Sequence, residues 1–453
     1  MMEQLKNHRI FFGITTLMLF TSFSFNVFGA MTTDAFVLNY KDSEMLVYNQ
    51  IKCGGRVYSD QLLESKAITP IDGTDYSCKT GTTPYSSQFG LQGRVYTGVF
   101  RVVSKITHIS TGTYVAIAQL TTALMSAIVF GLFVLWVRVN YSGISASIVT
   151  LLLAMSPMIV GFARNLYWAL PLFIAPFVFA LYKYRLHESR KSALVFWSIL
   201  GSLLYLRYLC GYEYITTFTI MTVAVVVYFL YMGKAKRVDY YRQIAISCMV
   251  SVLAFGAALA THVVALNSYT GSTGKSIDIV MKRAQERTVN GDKYLQYPYM
   301  NLKNLASDYY RTANTYVNFD DRVASGSKLW SISAAITNYL LLPVVSLPLN
   351  TTGPLTLYIQ STVAFITALA VLYIKRDTWV NKKINRSVKG LYLAMSVGLV
   401  GYLSWLVLAN AHSLVHAHIN GILMYLPFAL FGYVVIGVFV EYFIMIATKT
   451  YKR

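Results

Sequence analysis

Apolar runs of about 20 residues recur from one end of this chain to the other, and that pattern limits the fold more than any motif does. A helix needs ~20 mostly apolar residues to cross a hydrocarbon layer, whereas a helix on a soluble core needs only an apolar stripe. Composition removes the soluble alternative. At one domain per ~150 residues, 453 residues suggest about three soluble domains. Yet charged residues make up 13% and hydrophobic residues 55% of the chain. An average soluble protein carries roughly 25% charge, so these charges are too few to cover such surfaces. The expected fold class is all-α: a polytopic membrane helical bundle of about ten transmembrane helices, with two long external loops carrying amphipathic helices.

The apolar windows fall near 10 to 29, 114 to 137, 143 to 162, 166 to 182, 193 to 209, 214 to 232, 244 to 266, 355 to 374, 390 to 409 and 421 to 447. If the first runs outward, the segments on the inner side hold 20 of the 39 basic residues, against four acids, Glu3, Glu188, Asp239 and Asp377. The net charge of +20 is therefore mostly the positive-inside signal, and nucleic acid is not implied. The apolar stretch 333 to 349 is short and carries Pro343 and Pro348. Counting it as a crossing would put KRDTWVNKKINR outside, so it reads as a re-entrant or interfacial element. The first span ends on Gly29 and Ala30 like a signal peptide, but its apolar stretch is long for one and Phe28 fits a cleavage site badly. It reads as a retained helix.

This scheme divides the chain into a first helix (1-30), a first external loop (31-113), transmembrane helices 2-7 (114-266), a second external loop (267-354) and helices 8-10 (355-453). Both long loops lie on the same side, and loops of that length usually carry function. In the first, Cys53 and Cys78 flank 24 residues rich in Gly, Thr and Ser. An oxidising compartment would permit a disulfide there, worth ~3 kcal/mol by chain entropy; two independent thiols are the alternative. Asp42 and Glu44 stand in NYKDSEMLVYNQI, which reads equally as a helix start with an acid in its first turn. Being two apart, they do not share a helical face.

Further on, YSSQFGLQG leads into an amphipathic segment, where Gly90 and Gly93 permit close backbone approach and Gln88 and Gln92 can hydrogen-bond a sugar. Arg164 and Asn165 (FARNLYWALP), and Arg207, Tyr212, Glu213 and Tyr214 (RYLCGYEYITT), mark two external turns. Aromatic belts and structural ion pairs give such clusters too. His412, His416 and His418 sit on the last external turn, where substrate hydrogen bonding or interfacial polarity is favoured over zinc, since no acid is near in sequence. The second loop opens with Lys282, Arg283 and Arg287. The last two are four apart on one helical face, suited either to phosphate oxygens or to snorkelling and pairing with Asp278 and Glu286. GSTGKS at 271 to 276 lacks the glycine a phosphate loop needs at Tyr269, so no nucleotide site is claimed.

A first helix, a long external loop with a D-x-E element, the YSSQFGLQG stretch and then many helices resemble the GT-C superfamily of integral membrane glycosyltransferases. The likeness covers most of the chain as architecture and only the first loop as motif. It implies a polyprenyl-phosphate-linked sugar donor, a glycan acceptor and membrane lipid as partners. It also implies an acidic residue of the first loop as base or metal ligand: Asp42, with Glu44 as partner and Asp34 as a weaker candidate. A divalent cation at Asp42 and Glu44 is the one cofactor suggested. Lys282, Arg283 and Arg287 would then bind the donor phosphate, with Arg164 and Arg207 in reserve, while Gln88, Gln92, Glu213, His412, His416 and His418 would meet substrate. Bacterial surface-polysaccharide transferases, such as those decorating O-antigen, are nearest in appearance, which implies an inner membrane and a site facing the periplasm. A polysaccharide polymerase or ligase, and a lipid or glycan transporter, are the rival expectations.

Overall fold

The computed structural model describes residues 2–31, 36, 41–53, 90–184, 190–211, 214–233, 236–287, 343–348, 356–360, 382–409, 413 and 421–448. Thirteen helices follow one another among them: α1 (Met2–Phe25), α2 (Lys41–Lys52), α3 (Leu91–Thr107), α4 (Thr111–Asn140), α5 (Gly143–Ala154), α6 (Pro157–Ala163), α7 (Leu170–Lys183), α8 (Arg190–Leu209), α9 (Ile215–Gly233), α10 (Arg237–Thr270), α11 (Thr273–Arg287), α12 (Lys382–Leu408) and α13 (Phe428–Ala447). A 3-10 turn, Gly421–Tyr425, precedes α13.

Among the described residues, six helices are long and apolar enough to cross a membrane: α4, α8, α9, α10, α12 and α13. The protein is thus a helical membrane bundle. Four of the ten sequence windows have no single spanning helix of their own: 10 to 29 falls on α1, which ends at Phe25 and is not among the six, and three more differ as follows. The window 143 to 162 is two helices, α5 and α6, bent by 70°, and counting the pair as one crossing makes seven. Ser156 breaks the run by capping α6, its Oγ accepting from the Ile159 N–H at 3.4 Å, and Pro157 starts the new helix. The window 166 to 182 yields α7, whose 14 residues reach only ~21 Å at 1.5 Å per residue. The window 355 to 374 opens on a strand, β2 (Thr356–Gln360), paired antiparallel with β1 (Pro343–Pro348), and the rest of it lies outside the described residues. The expected all-α class holds, with one small hairpin beside the helices. The interfacial segment at 333 to 349 supplies its first strand, which lies beside α6.

Alternating direction brings the inner-side segments of the sequence scheme to one end of the bundle. There the Tyr141 and Tyr228 hydroxyls lie 2.9 Å apart, Ser387 Oγ donates to Tyr141 Oη at 2.7 Å, and Arg386 Nη2 donates to the Tyr231 carbonyl at 2.8 Å. Tyr141 follows the end of α4; burial, and then the neighbouring Tyr228, push its phenol well above the ordinary value, so it stays a neutral donor. On α13, Glu441 accepts from Ser142 Oγ at 2.5 Å and Ser145 Oγ at 2.6 Å, a carboxylate at the N-terminus of α5. One turn before it, a Cβ on Gly437 would stand 2.7 Å from the Ser145 carbonyl oxygen, so only glycine lets α13 approach α5 this closely.

Aromatic side chains fill the middle, with Trp136 edge-on to Tyr228 at 5.8 Å and Phe177 edge-on to Phe431 at 5.3 Å. At the opposite end two long helices, α4 and α10, each receive an amphipathic helix against them. Helix α3 lies on α4 through Tyr96 Oη, 2.8 Å from Thr122 Oγ1, and through the Phe100 and Tyr114 rings, 5.0 Å apart. Helix α11 packs Ile279 and Val280 against Leu259, Val263 and Leu266 of α10.

Candidate functional site

The two loop segments singled out in the sequence meet at this second end of the bundle. Helix α2 carries Asp42 and Glu44 in its first turn, Asp42 two residues further in than the capping position. Its other end is anchored: Val47 and Ile51 are buried in a small core with Tyr114 and Ala118 of α4 and Leu166 of the turn after α6. Helix α3 crosses beside it so closely that a Cβ on Gly93 would fall within 1.8 Å of Gln50 Oε1. A side chain at this position would have to displace the amide end of Gln50.

Below that contact the turns of the bundle supply polar groups in apolar surroundings. Gln92, buried on α3, donates from Nε2 to the carbonyls of Tyr167 and Cys210, both at 2.9 Å, tying α3 to two separate turns. Its Oε1 has no partner. Asn165 Oδ1 accepts from the backbone N–H of Tyr167 and Trp168 at 3.0 and 3.1 Å, while its Nδ2 and the Trp168 indole N–H have no acceptor. Both polar atoms of the Asn49 side chain on α2, and Thr97 Oγ1 on α3, are likewise buried without partners among the described residues.

Arg207 is the strongest of these groups. Only 1% of its surface is exposed, and its guanidinium lies 3.8 Å over the Phe173 ring and 4.9 Å from that of Phe218. Nη1 donates to the Gly211 carbonyl at 3.0 Å, and among the described residues Nε is unpartnered and no carboxylate pairs with the guanidinium. Trp168 and Tyr214 both flank the same Phe173 ring, with centroids 6.5 and 6.2 Å away. A buried guanidinium without a counter-ion is costly, and cation–π contacts offset roughly 2 kcal/mol each when desolvated. The unpartnered indole N–H belongs to Trp168, whose ring contacts the same Phe173 ring, so this end of the bundle holds several buried donors.

The other expected site residues fall as follows. Arg164 Nη2 donates to the Phe36 carbonyl at 2.7 Å and its guanidinium lies 4.0 Å over the Phe36 ring, so it fastens the first loop to the bundle. Lys282 is exposed on α11. Arg283 and Arg287 fall on the last turns of α11, and their side chains, like those of Asp42 and Glu44, lie outside the described residues. So do Asp34, Cys78, Gln88, Tyr212, Glu213, His412, His416 and His418. Cys53, just past α2, is disulfide-bonded, whereas Cys210 and Cys248 are free thiols. Among the described residues no three metal-ligating side chains gather. Sequence reasoning passed over Asn49, Thr97 and Trp168. Trp168 lay within the FARNLYWALP turn it had marked, but read as an interfacial aromatic.

These features define a class: a helical membrane protein whose first loop folds down as two short helices over a buried, donor-rich site at one end of the bundle. Compared with family models, curated proteins and solved structures, the chain matches none.

Proposed function

We propose that the protein is an integral membrane glycosyltransferase that moves a sugar from a polyprenyl-phosphate carrier to a surface glycan such as O-antigen, on the external face of a bacterial inner membrane. One observation supports this reading above the others: the helix bearing Asp42 and Glu44 and the helix bearing Gln92 pack together over the end of the bundle that holds unpaired Arg207. Transfer from a lipid phosphate needs a base toward the acceptor hydroxyl and a cation toward the departing phosphate. In this reading Asp42 takes the acceptor proton as the hydroxyl attacks the anomeric carbon, and the carrier phosphate leaves with inversion. Arg207 leads the phosphate-binding candidates, because a buried unpaired guanidinium gains more from an anion than the exposed Lys282 does. Gln92, with one amide oxygen free, accepts from a sugar hydroxyl. Cys78 pairs with Cys53 and closes the loop beyond α2; thiol labelling of Cys78 without reduction would remove that pairing.

The direct test compares surface-glycan composition by mass spectrometry in cells with and without the gene. The reading expects loss of one sugar from an otherwise intact glycan. Loss of the whole polymer with lipid-linked repeat units accumulating would indicate a polymerase or ligase instead, and an unchanged glycan would set the reading aside.

A further inference from the structure

An apolar cavity of about 370 Å³ lies between α4, α7 and α8, away from the site described above. Val129, Leu132, Val178, Phe179 and Leu203 line it, and Lys183 stands at one end. Its volume falls within the ~300–1,000 Å³ of small-ligand pockets, but its walls offer no polar group to orient a soluble molecule. The one nearby hydroxyl, that of Tyr182, already donates to the Leu132 carbonyl at 2.7 Å. The cavity is open on one side, within the apolar belt of the bundle. An apolar hollow in that position excludes water and takes hydrocarbon.

Lys183 gives the cavity a polarity. It is the last residue of α7, at the end of the bundle that gathers the basic residues, it is exposed, and it makes no hydrogen bond or ion pair among the described residues. Asp239, the acid near the neighbouring Tyr184, is already matched by Arg242 at 3.1 Å. Ala175, also in the lining, lies eight residues back along α7, so the hollow extends ~12 Å from the lysine toward the middle of the membrane, at 1.5 Å per residue. Exposed Lys191, in the first turn of α8, lies outside the lining but adds a second cation at the start of the next helix. We propose that this groove is a binding site for an anionic phospholipid of the leaflet at the basic end, one acyl chain lying against Phe179 and Leu203 and the headgroup phosphate on Lys183. Charge selects the occupant. A zwitterionic lipid fills the groove equally but gains less from the lysine.

The site is tested on the detergent-purified full chain by native mass spectrometry with phosphatidylglycerol, phosphatidylcholine and a polyprenyl phosphate. The parent should retain phosphatidylglycerol about fivefold better than phosphatidylcholine. Lys183→Gln should abolish that preference while total lipid retention persists. Leu203→Trp should displace both phospholipids, with circular dichroism and gel filtration establishing that the variant is folded. Phosphatidylglycerol with a photoreactive group near the chain terminus should label α7 and α8 in the parent, and in Leu203→Trp the label should leave them. Equal retention of the two phospholipids, a preference that survives Lys183→Gln, or label spread over all lipid-facing helices would overturn the proposal. Polyprenyl phosphate outcompeting phosphatidylglycerol would assign the groove to another lipid. None of these readouts depends on sugar transfer, so the groove and the catalytic reading fail separately.

Discussion

Arg207 shows how much one side chain can say about an otherwise apolar molecule. A surface arginine pairs with water; this one is 1% exposed and rests on Phe173 and Phe218 with an unpartnered Nε. Removing an uncompensated buried charge is neutral or stabilising when the replacement fills the same space. Arg207→Met should therefore keep or raise the thermal midpoint while weakening donor binding at least tenfold, since a charged hydrogen bond is worth roughly 1.5–3 kcal/mol. A lower midpoint with unchanged donor affinity would make the residue structural. In the sequence Arg207 stands on an external turn with Glu213, where a structural ion pair is an equal reading, and the family resemblance holds it in reserve as a phosphate ligand. Nothing in residue order tells a paired arginine from a solitary one, because burial and partners are set by tertiary packing. Gln92 was legible as a hydrogen-bonding group, yet its amide N–H atoms bind Tyr167 and Cys210 backbone, 75 and 118 residues away along the chain.

At the level of elements, the closeness of α2 and α3 is the feature on which the site depends. Gly93 sits where any side chain would meet Gln50. Gly93→Ala should push Gln50 aside, separate the two helices and lower transfer roughly tenfold, or ~1.4 kcal/mol in the barrier. Shortening the obstructing residue in Gln50→Ala/Gly93→Ala should restore most of the loss. A strictly additive pair would show that the two residues do not share a contact. The sequence supported close approach at Gly93 through the glycine alone, but named no partner. Elsewhere its signals were present and outweighed by hydropathy. The Met-Ser-Pro at 155 to 157 carries both a capping serine and a proline suited to the first helical turn, and the chain bends there by 70° within a continuous apolar window. A short apolar run such as Thr356–Gln360 does not distinguish strand from buried helix by periodicity, and cross-strand pairing with Pro343–Pro348 decided it.

For the whole molecule, charge was the most legible property. The basic segments that order the sequence scheme come together at one end through the Tyr141, Tyr228, Arg386 and Ser387 contacts, and the two first-loop helices fold over the other. A reporter fused after Arg386 should read cytoplasmic and one placed at Ser110 external; the reverse pair would invert the proposed orientation. The number of crossings was less legible, because bent and short helices such as α5, α6 and α7 fall below the length a straight span needs.

The central claim is transfer from a lipid phosphate with Asp42 as the base. The measurement that reaches it most directly reconstitutes the full chain in proteoliposomes with a polyprenyl-phosphate-linked radiolabelled sugar and the isolated glycan acceptor, and compares the parent with Asp42→Asn. The variant keeps shape and a side-chain oxygen but cannot take a proton, so label should enter the acceptor with the parent and fall by ~10²–10⁴-fold with the variant while donor binding persists. Near-parental transfer by a folded Asp42→Asn protein, or no transfer by the parent from any such carrier, would contradict the account.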